Sequence, residues 1–233
     1  MSDVVEAPTS VRPAQVGATD LLIVRHGESE SIAEGECFPK WNGHGDPALH
    51  ERGEEQARLL ADRLEDVEIA AIYVTPLQRT AQTAAPLAAR KGIVPRVSED
   101  LREVHLGDWD GTGMLRTLSS DHPVVAQMRA EERWDVIPNA EPADQFRARI
   151  QAGVSAIAAD HQGKTVVVVA HGGVIGEIFA LASRAERNFA FVGADNCSIS
   201  HLIVDGDGRW IVRRFNDTSH LRRSFNPAAL ALT

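Results

Sequence analysis

The chain has 233 residues, 43% of them hydrophobic and 24% charged, which is enough apolar side chain for one sizeable α/β domain. A formal net charge of −9 excludes a general affinity for nucleic acid or anionic membrane, though a few converging cations could still hold an anion. Cys37 and Cys197 are far apart and in no CxxC arrangement, which excludes a disulfide framework and a structural zinc site.

Residues 1–18 are small, polar and proline-containing, and predict a flexible leader ahead of a single domain over 19–233. With no apolar signal region and no stretch of membrane-spanning length, the expected location is the cytoplasm. Leu21–Val24 predicts a buried strand running into a charged, glycine-containing turn. Residues 30–50 hold Gly35, Pro39, Gly43, Gly45 and Pro47 and predict a long irregular loop. From Glu54 to Leu64, Ala57, Leu60, Ala61 and Leu64 recur at helical spacing. Ala70–Val74 predicts a second strand, followed by a helix over 77–90. Val94–Val97 predicts a short strand, and 101–142 mostly loop with one helix around 122–133, a length of irregular chain that is often functional. A helix over 143–160 precedes the strand Thr165–Val169, and another helix follows from Gly173. Ser198–Val204 and Trp210–Phe215 flank Asp205-Gly206-Asp207-Gly208, a hairpin signal. Strands alternating with helices predict a three-layer α/β/α sandwich whose mixed sheet is mostly parallel, with an antiparallel edge from the final hairpin.

Ligands of open α/β sheets bind beyond the carboxyl ends of the strands. That rule selects Arg25-His26-Gly27, the Thr75–Arg79 segment and His171-Gly172-Gly173, and places two arginines and two histidines on one rim. Like charges gather at a cost, so a bound anion is the economical explanation. Arg25 and Arg79 are matched to phosphate oxygens by their planar forks, and N–H groups at the start of the helix after His171 could add donors. A neutral imidazole there can attack phosphorus, dividing one difficult hydrolysis into two transfers. The leaving alkoxide needs a proton, and spacing alone leaves Asp100, Glu103, Asp108 and Asp110 open for that task.

Leu22-Ile23-Val24-Arg25-His26-Gly27-Glu28 resembles the RHG signature of the histidine phosphatase superfamily, which includes the cofactor-dependent phosphoglycerate mutases. Gly45-Asp46-Pro47-Ala48-Leu49 with Glu51-Arg52-Gly53 and Gln56-Ala57 is similar to its D-x-x-L-T-x-x-G-x-x-Q-A segment, and Thr75–Ala84 to its S-P-L-x-R-A-x-Q-T-A segment. Leu101-Arg102-Glu103 with Leu106–Gly111 is similar to L-x-E-x-x-x-G-x-W-E-G. Val168–Gly173 resembles the second-histidine motif. The resemblance implies His26 as phosphoryl acceptor, Arg25, Arg79 and His171 as phosphate ligands with Ser29 and Gly172 beside them, and Glu103 as proton donor and then base. In two respects the chain departs from the pattern. Ile32 stands where many relatives carry a pocket asparagine, so that one polar contact is either missing or supplied by the 33–45 loop. Only 67 residues separate Glu103 from His171, and no R-H-Y-G follows Glu103, which favours phosphatase over mutase.

The expectation is therefore a phosphatase acting on a small phosphorylated metabolite, with no metal and no cofactor, and with a homodimer as the family-level guess. An acidic optimum is expected, because Glu103 must be protonated while His26 is neutral. The alternatives are a phosphoglycerate-type mutase, a non-catalytic phospho-ligand sensor and a metal-dependent phosphohydrolase with His26 and His171 as ligands. His44, His50, His105, His161, His201 and His220 are expected to be structural or exposed, with His44 and His105 able to approach the pocket, and Trp109 a packing anchor.

Overall fold

The computed structural model describes residues 17–33, 35–112, 122–191 and 193–221. Most of the predicted leader, and residues 113–121 of the predicted long loop, lie outside the described residues. Along the chain come β1 (Thr19–Arg25), β2 (Lys40–Trp41), β3 (His44–Gly45), α1 (Glu51–Arg63), β4 (Ala71–Val74), α2 (Gln78–Lys91) and β5 (Arg96–Val97). There follow α3 (Pro123–Glu131), α4 (Ala143–Asp160), β6 (Thr165–Ala170), α5 (Gly172–Ser183), β7 (Ile199–Val204) and β8 (Trp210–Asp217).

The main sheet has the order β5-β4-β6-β1-β7-β8. Its β5, β4, β6 and β1 run parallel, while β7 and β8 add antiparallel pairs at one edge, as the hairpin signal predicts. Alternation along each strand divides the core in two. Leu21, Ile23, Val166 and Val168 face the layer that contains Phe146, Ile150, Ile175 and Phe179 of α4 and α5. Val24, Ile72, Val167 and Val169 face Leu60, Ala61, Ala84 and Leu87 of α1 and α2. Strands β1, β4 and β6 are thus apolar on both faces, and the result is a three-layer α/β/α sandwich.

Local chemistry moves several boundaries. Helix α1 begins at Glu51, before its apolar spacing becomes legible, because His50 caps it: Nδ1 accepts the Arg52 N–H at 3.2 Å. The predicted irregular loop over 30–50 contains the β2–β3 hairpin. Its turn, Asn42-Gly43, has φ of +43° and +88°, the paired positive values of a two-residue hairpin turn. Ala18 is buried and its carbonyl accepts from Gly163 N at 3.1 Å, so the domain already includes the last residue of the predicted leader. Among the described residues no helix is long and apolar enough to cross a membrane.

Candidate active site

The turn after β1 is held by both neighbouring strands. The His26 N–H donates to the Ala170 carbonyl at 3.0 Å, and Cys197 N donates to the Arg25 carbonyl at 2.9 Å. Asn196 Nδ2 donates to the His26 carbonyl at 2.9 Å. His26 Nδ1 lies 2.7 Å from the Gly27 carbonyl oxygen, which can only accept. In the neutral ring Nδ1 therefore carries the proton and Nε2 the lone pair. Next in the turn, Gly27 N donates to Thr83 Oγ1 at 2.9 Å, and that hydroxyl donates to the Arg79 carbonyl at 2.7 Å. A Cβ at Gly27 would stand 2.7 Å from the Gly53 carbonyl oxygen, so the turn crosses α1 too closely for any side chain.

Arg79 occupies the first turn of α2. Leu77 gives that helix no side-chain cap, and Asp46 supplies one from a distant segment, its Oδ1 accepting Gln78 N at 2.8 Å. The same Oδ1 is 3.8 Å from Arg79 Nη1, which also donates to the Gly45 carbonyl at 3.0 Å. Arg25 Nη1 donates to the Ala194 carbonyl at 2.5 Å. Both guanidinium groups are thus oriented by carbonyl oxygens.

His171 is wholly buried at the end of β6, its ring centroid 5.3 Å from that of His26. Nε2 lies 2.9 Å from Thr75 Oγ1, and Nδ1 is buried with no partner among the described residues. Burial first, then the charges of Arg79, His26, His44 and Arg25, hold its pKa well below the ordinary histidine value. His171 does not itself line the cavity described below.

Glu103 bridges two segments, Oε1 accepting Val104 N at 2.9 Å and Oε2 accepting Gly173 N at 3.1 Å. One of the N–H groups expected to meet an anion at the start of α5 is thus already engaged by this carboxylate. A Cβ at Gly173 would stand 2.6 Å from Glu103 Oε1, so the approach needs glycine. Burial raises the Glu103 pKa against the opposing effect of those two N–H donors and of Arg79 and Arg25. Arg149 of α4 pins the segment from behind. It donates to the carbonyls of Asp100 (2.6 Å), Arg102 (2.7 Å) and Glu103 (3.0 Å) and makes a two-pronged pair with Glu141 at 2.6 and 2.7 Å.

These groups surround a cavity of about 160 Å³. Of the predicted residues, Arg25, His26, Ser29, Arg79, Glu103 and Gly172 line it. Among the four candidate acids, Glu103 and Asp110 reach the wall, while Asp100 and Asp108 are exposed outside it. Asp110 is engaged elsewhere: its oxygens accept Gly45 N (2.6 Å) and Leu106 N (2.9 Å), tying the β2–β3 hairpin to the 105–111 loop. Ile32 does not line the cavity, and the loop after it brings Phe38, His44 and Gly45 to the wall instead. His44, expected to be structural or exposed by default, is buried there, and burial lowers its pKa to about 4 despite the nearby Asp110. Among the described residues no group of three or more His, Cys, Asp or Glu side chains is arranged to hold a metal ion.

A family model described as "Histidine phosphatase superfamily (branch 1)" matches residues 21–218. The chain belongs to that superfamily. It is 32% identical over 213 residues to phosphoglycerate mutase-like protein 4 of Arabidopsis thaliana, covering 90% of each chain. It is 30% identical over 207 residues to a metal-independent phosphoserine phosphatase of the same plant, covering 87% of this chain and 83% of the relative. Among solved structures, a mycobacterial glucosyl-3-phosphoglycerate phosphatase superposes with a TM-score of 0.71 at 30% identity, over 86% of this chain and all of the other.

The superfamily motifs contain letters whose task sequence reasoning left unassigned. Gln56 Oε1 accepts Glu28 N at 2.9 Å, and Gln82 Oε1 accepts Leu49 N at 2.8 Å, so both glutamines hold the 28–49 loop by its backbone. Thr75 and Thr80 are buried hydroxyls that fix the turn before α2 and the His171 ring, and buried Thr83 ties α2 to Gly27. Asn196 and Arg149 lie outside those motifs, and no local signal marks them.

Proposed function

We propose that this protein hydrolyses phosphomonoesters, with His26 Nε2 taking the phosphoryl group and water receiving it. The observation that carries the reading is the bond between His26 Nδ1 and the Gly27 carbonyl, because in the neutral ring it places the lone pair on Nε2, in the cavity that Arg25 and Arg79 line. In the first step Nε2 forms a bond to phosphorus as the ester P–O bond breaks. Arg25 and Arg79 balance the charge on the equatorial oxygens. Glu103, whose pKa burial raises above the ordinary carboxylate value, gives its proton to the leaving oxygen. In the second step the Glu103 carboxylate takes a proton from water, the hydroxyl attacks phosphorus, and the P–N bond breaks to restore His26.

This scheme answers the phosphate's charge with arginine and needs no metal. Relatives named for phosphoserine phosphatase and glucosyl-3-phosphoglycerate phosphatase activity support hydrolysis, and a relative named as mutase-like keeps transfer to a second hydroxyl as the alternative. The separating assay uses p-nitrophenyl phosphate in EDTA, with alcohol and inorganic phosphate both measured. Equal release of the two, unaffected by EDTA, is the expected result. Turnover lost on chelation contradicts the metal-free scheme, transfer to a phosphoglycerate faster than to water marks a mutase, and binding without turnover marks a sensor.

A further inference from the structure

The cavity's two halves differ in chemistry. Its floor, at the ends of β1 and α2, holds Arg25, His26 and Arg79. The rest is built by the hairpin loop, the 103–111 loop and the segment after α3, which contribute Phe38, Val104, Leu106, Trp109 and Trp134. These five line the same cavity as Glu103, the group that protonates the leaving oxygen, so the alcohol part of the substrate meets an apolar surround. Trp109 and Trp134 are rigidly placed: both are buried, and Trp134 packs on Phe189 with ring centroids 4.7 Å apart.

Charge in this half runs against an acidic alcohol. Among the described residues, the only arginines or lysines on the cavity wall are Arg25 and Arg79, both on the phosphate floor. His44 is neutral at neutral pH, its pKa lowered to about 4 by burial. Asp110 adds a carboxylate to the wall. A substrate carboxylate, such as that of phosphoserine or a phosphoglycerate, would be desolvated there with no arginine or lysine among the described wall residues of that half to face it, at a cost an uncharged alcohol avoids.

Resting on the phosphatase reading above, we propose that the substrate class is monophosphate esters of uncharged, largely apolar alcohols, selected by the Phe38, Leu106, Trp109 and Trp134 wall. The activities for which the similar phosphatases are named do not predict this preference.

The test compares kcat/KM for 2-phenylethyl phosphate, O-phosphoserine and 3-phosphoglycerate, with p-nitrophenyl phosphate as the control for the chemistry. 2-Phenylethanol is the poorer leaving group beside serine, whose ammonium group stabilises its alkoxide, so chemistry alone favours phosphoserine. The expected result is a preference of roughly tenfold or more for 2-phenylethyl phosphate, carried mainly by KM, as burial of an apolar ring provides. Phosphoserine or 3-phosphoglycerate cleaved as well as 2-phenylethyl phosphate overturns the substrate class while leaving the phosphatase reading intact. No cleavage of p-nitrophenyl phosphate overturns that reading itself. A second arm uses Phe38→Ser, at a half-buried loop position away from both cores. It should reduce the 2-phenylethyl phosphate to phosphoserine ratio several-fold, and an unchanged ratio counts against the wall as the selecting surface.

Discussion

At the scale of single residues the account turns on which atoms carry protons. His26 presents Nε2 because the Gly27 carbonyl accepts the Nδ1–H of the neutral ring, and burial raises the Glu103 pKa against the opposing effect of its two N–H partners. His26→Ala should therefore lower turnover by roughly 10³-fold or more, as loss of a covalent nucleophile does, without altering the circular dichroism spectrum. Glu103→Gln should cost on the order of 10²–10⁴-fold for alkyl esters, the worth of a general acid. In kcat/KM, which reports formation of the phosphohistidine, the loss should be much smaller for p-nitrophenyl phosphate, whose leaving group needs no proton. The value of kcat should fall for both, because Glu103 also activates water. Equal losses in kcat/KM for both ester types would remove Glu103 from the role of acid. The pH dependence has a defined sign. Glu103 must hold its proton to donate it, and its pKa is raised, so kcat for alkyl esters should decline on the alkaline side at a pH above the ordinary glutamate value of 4.5. A rate rising steadily to pH 9 would contradict the assignment.

At the scale of elements, the site is assembled by segments distant in sequence that hold one another by backbone contacts. Arg149 joins three carbonyls of the 100–103 segment to Glu141, and its guanidinium is mostly buried. Burial pushes the Glu141 carboxyl up, yet the Arg149 pair holds it below the usual range. Removing the cation with Arg149→Met should cost about 3 kcal/mol in urea unfolding at pH 7, as breaking a buried pair does, and should loosen Glu103. Gly173→Ala displaces the Glu103 carboxylate directly, so it should lower kcat on alkyl esters with a smaller effect on stability. The strands and helices were legible because β1, β4 and β6 carry continuous apolar runs and α1 and α2 carry helical spacing. The β2–β3 hairpin was missed although Asn42-Gly43 is a strong turn signal, because each strand has two residues and the surrounding glycines and prolines read as loop. The catalytic motif residues were legible because strand ends converge. Arg149, Asn196 and the Asp46 cap were not, since each acts across 20 or more residues of sequence by bonding backbone that no pattern announces.

At the scale of the whole molecule, the buried histidines set a limit on acid conditions. His44 and His171 are both depressed in the folded state, His44 to about 4 from 6.5. A depressed group contributes stability above its unfolded pKa, and that contribution is lost as pH falls from about 6.5 towards and through the folded value. Urea midpoints should therefore decline between pH 7 and pH 5, and His44→Gln should flatten that decline. Unchanged pH dependence in the variant would mean that His44 is not held neutral. The rate and the stability consequently oppose each other in acid: protonated Glu103 favours turnover where the histidines begin to weaken the fold.

The central claim is that the phosphoryl group rests on His26. The direct measurement is rapid quench of the protein with a phosphomonoester in EDTA, followed by peptide mass spectrometry under alkaline conditions that preserve phosphohistidine. A phosphate on the His26 peptide, acid-labile, formed no slower than steady-state turnover and absent from His26→Ala, is the predicted result. Full turnover by His26→Ala, or phosphate found on another residue, would contradict the account.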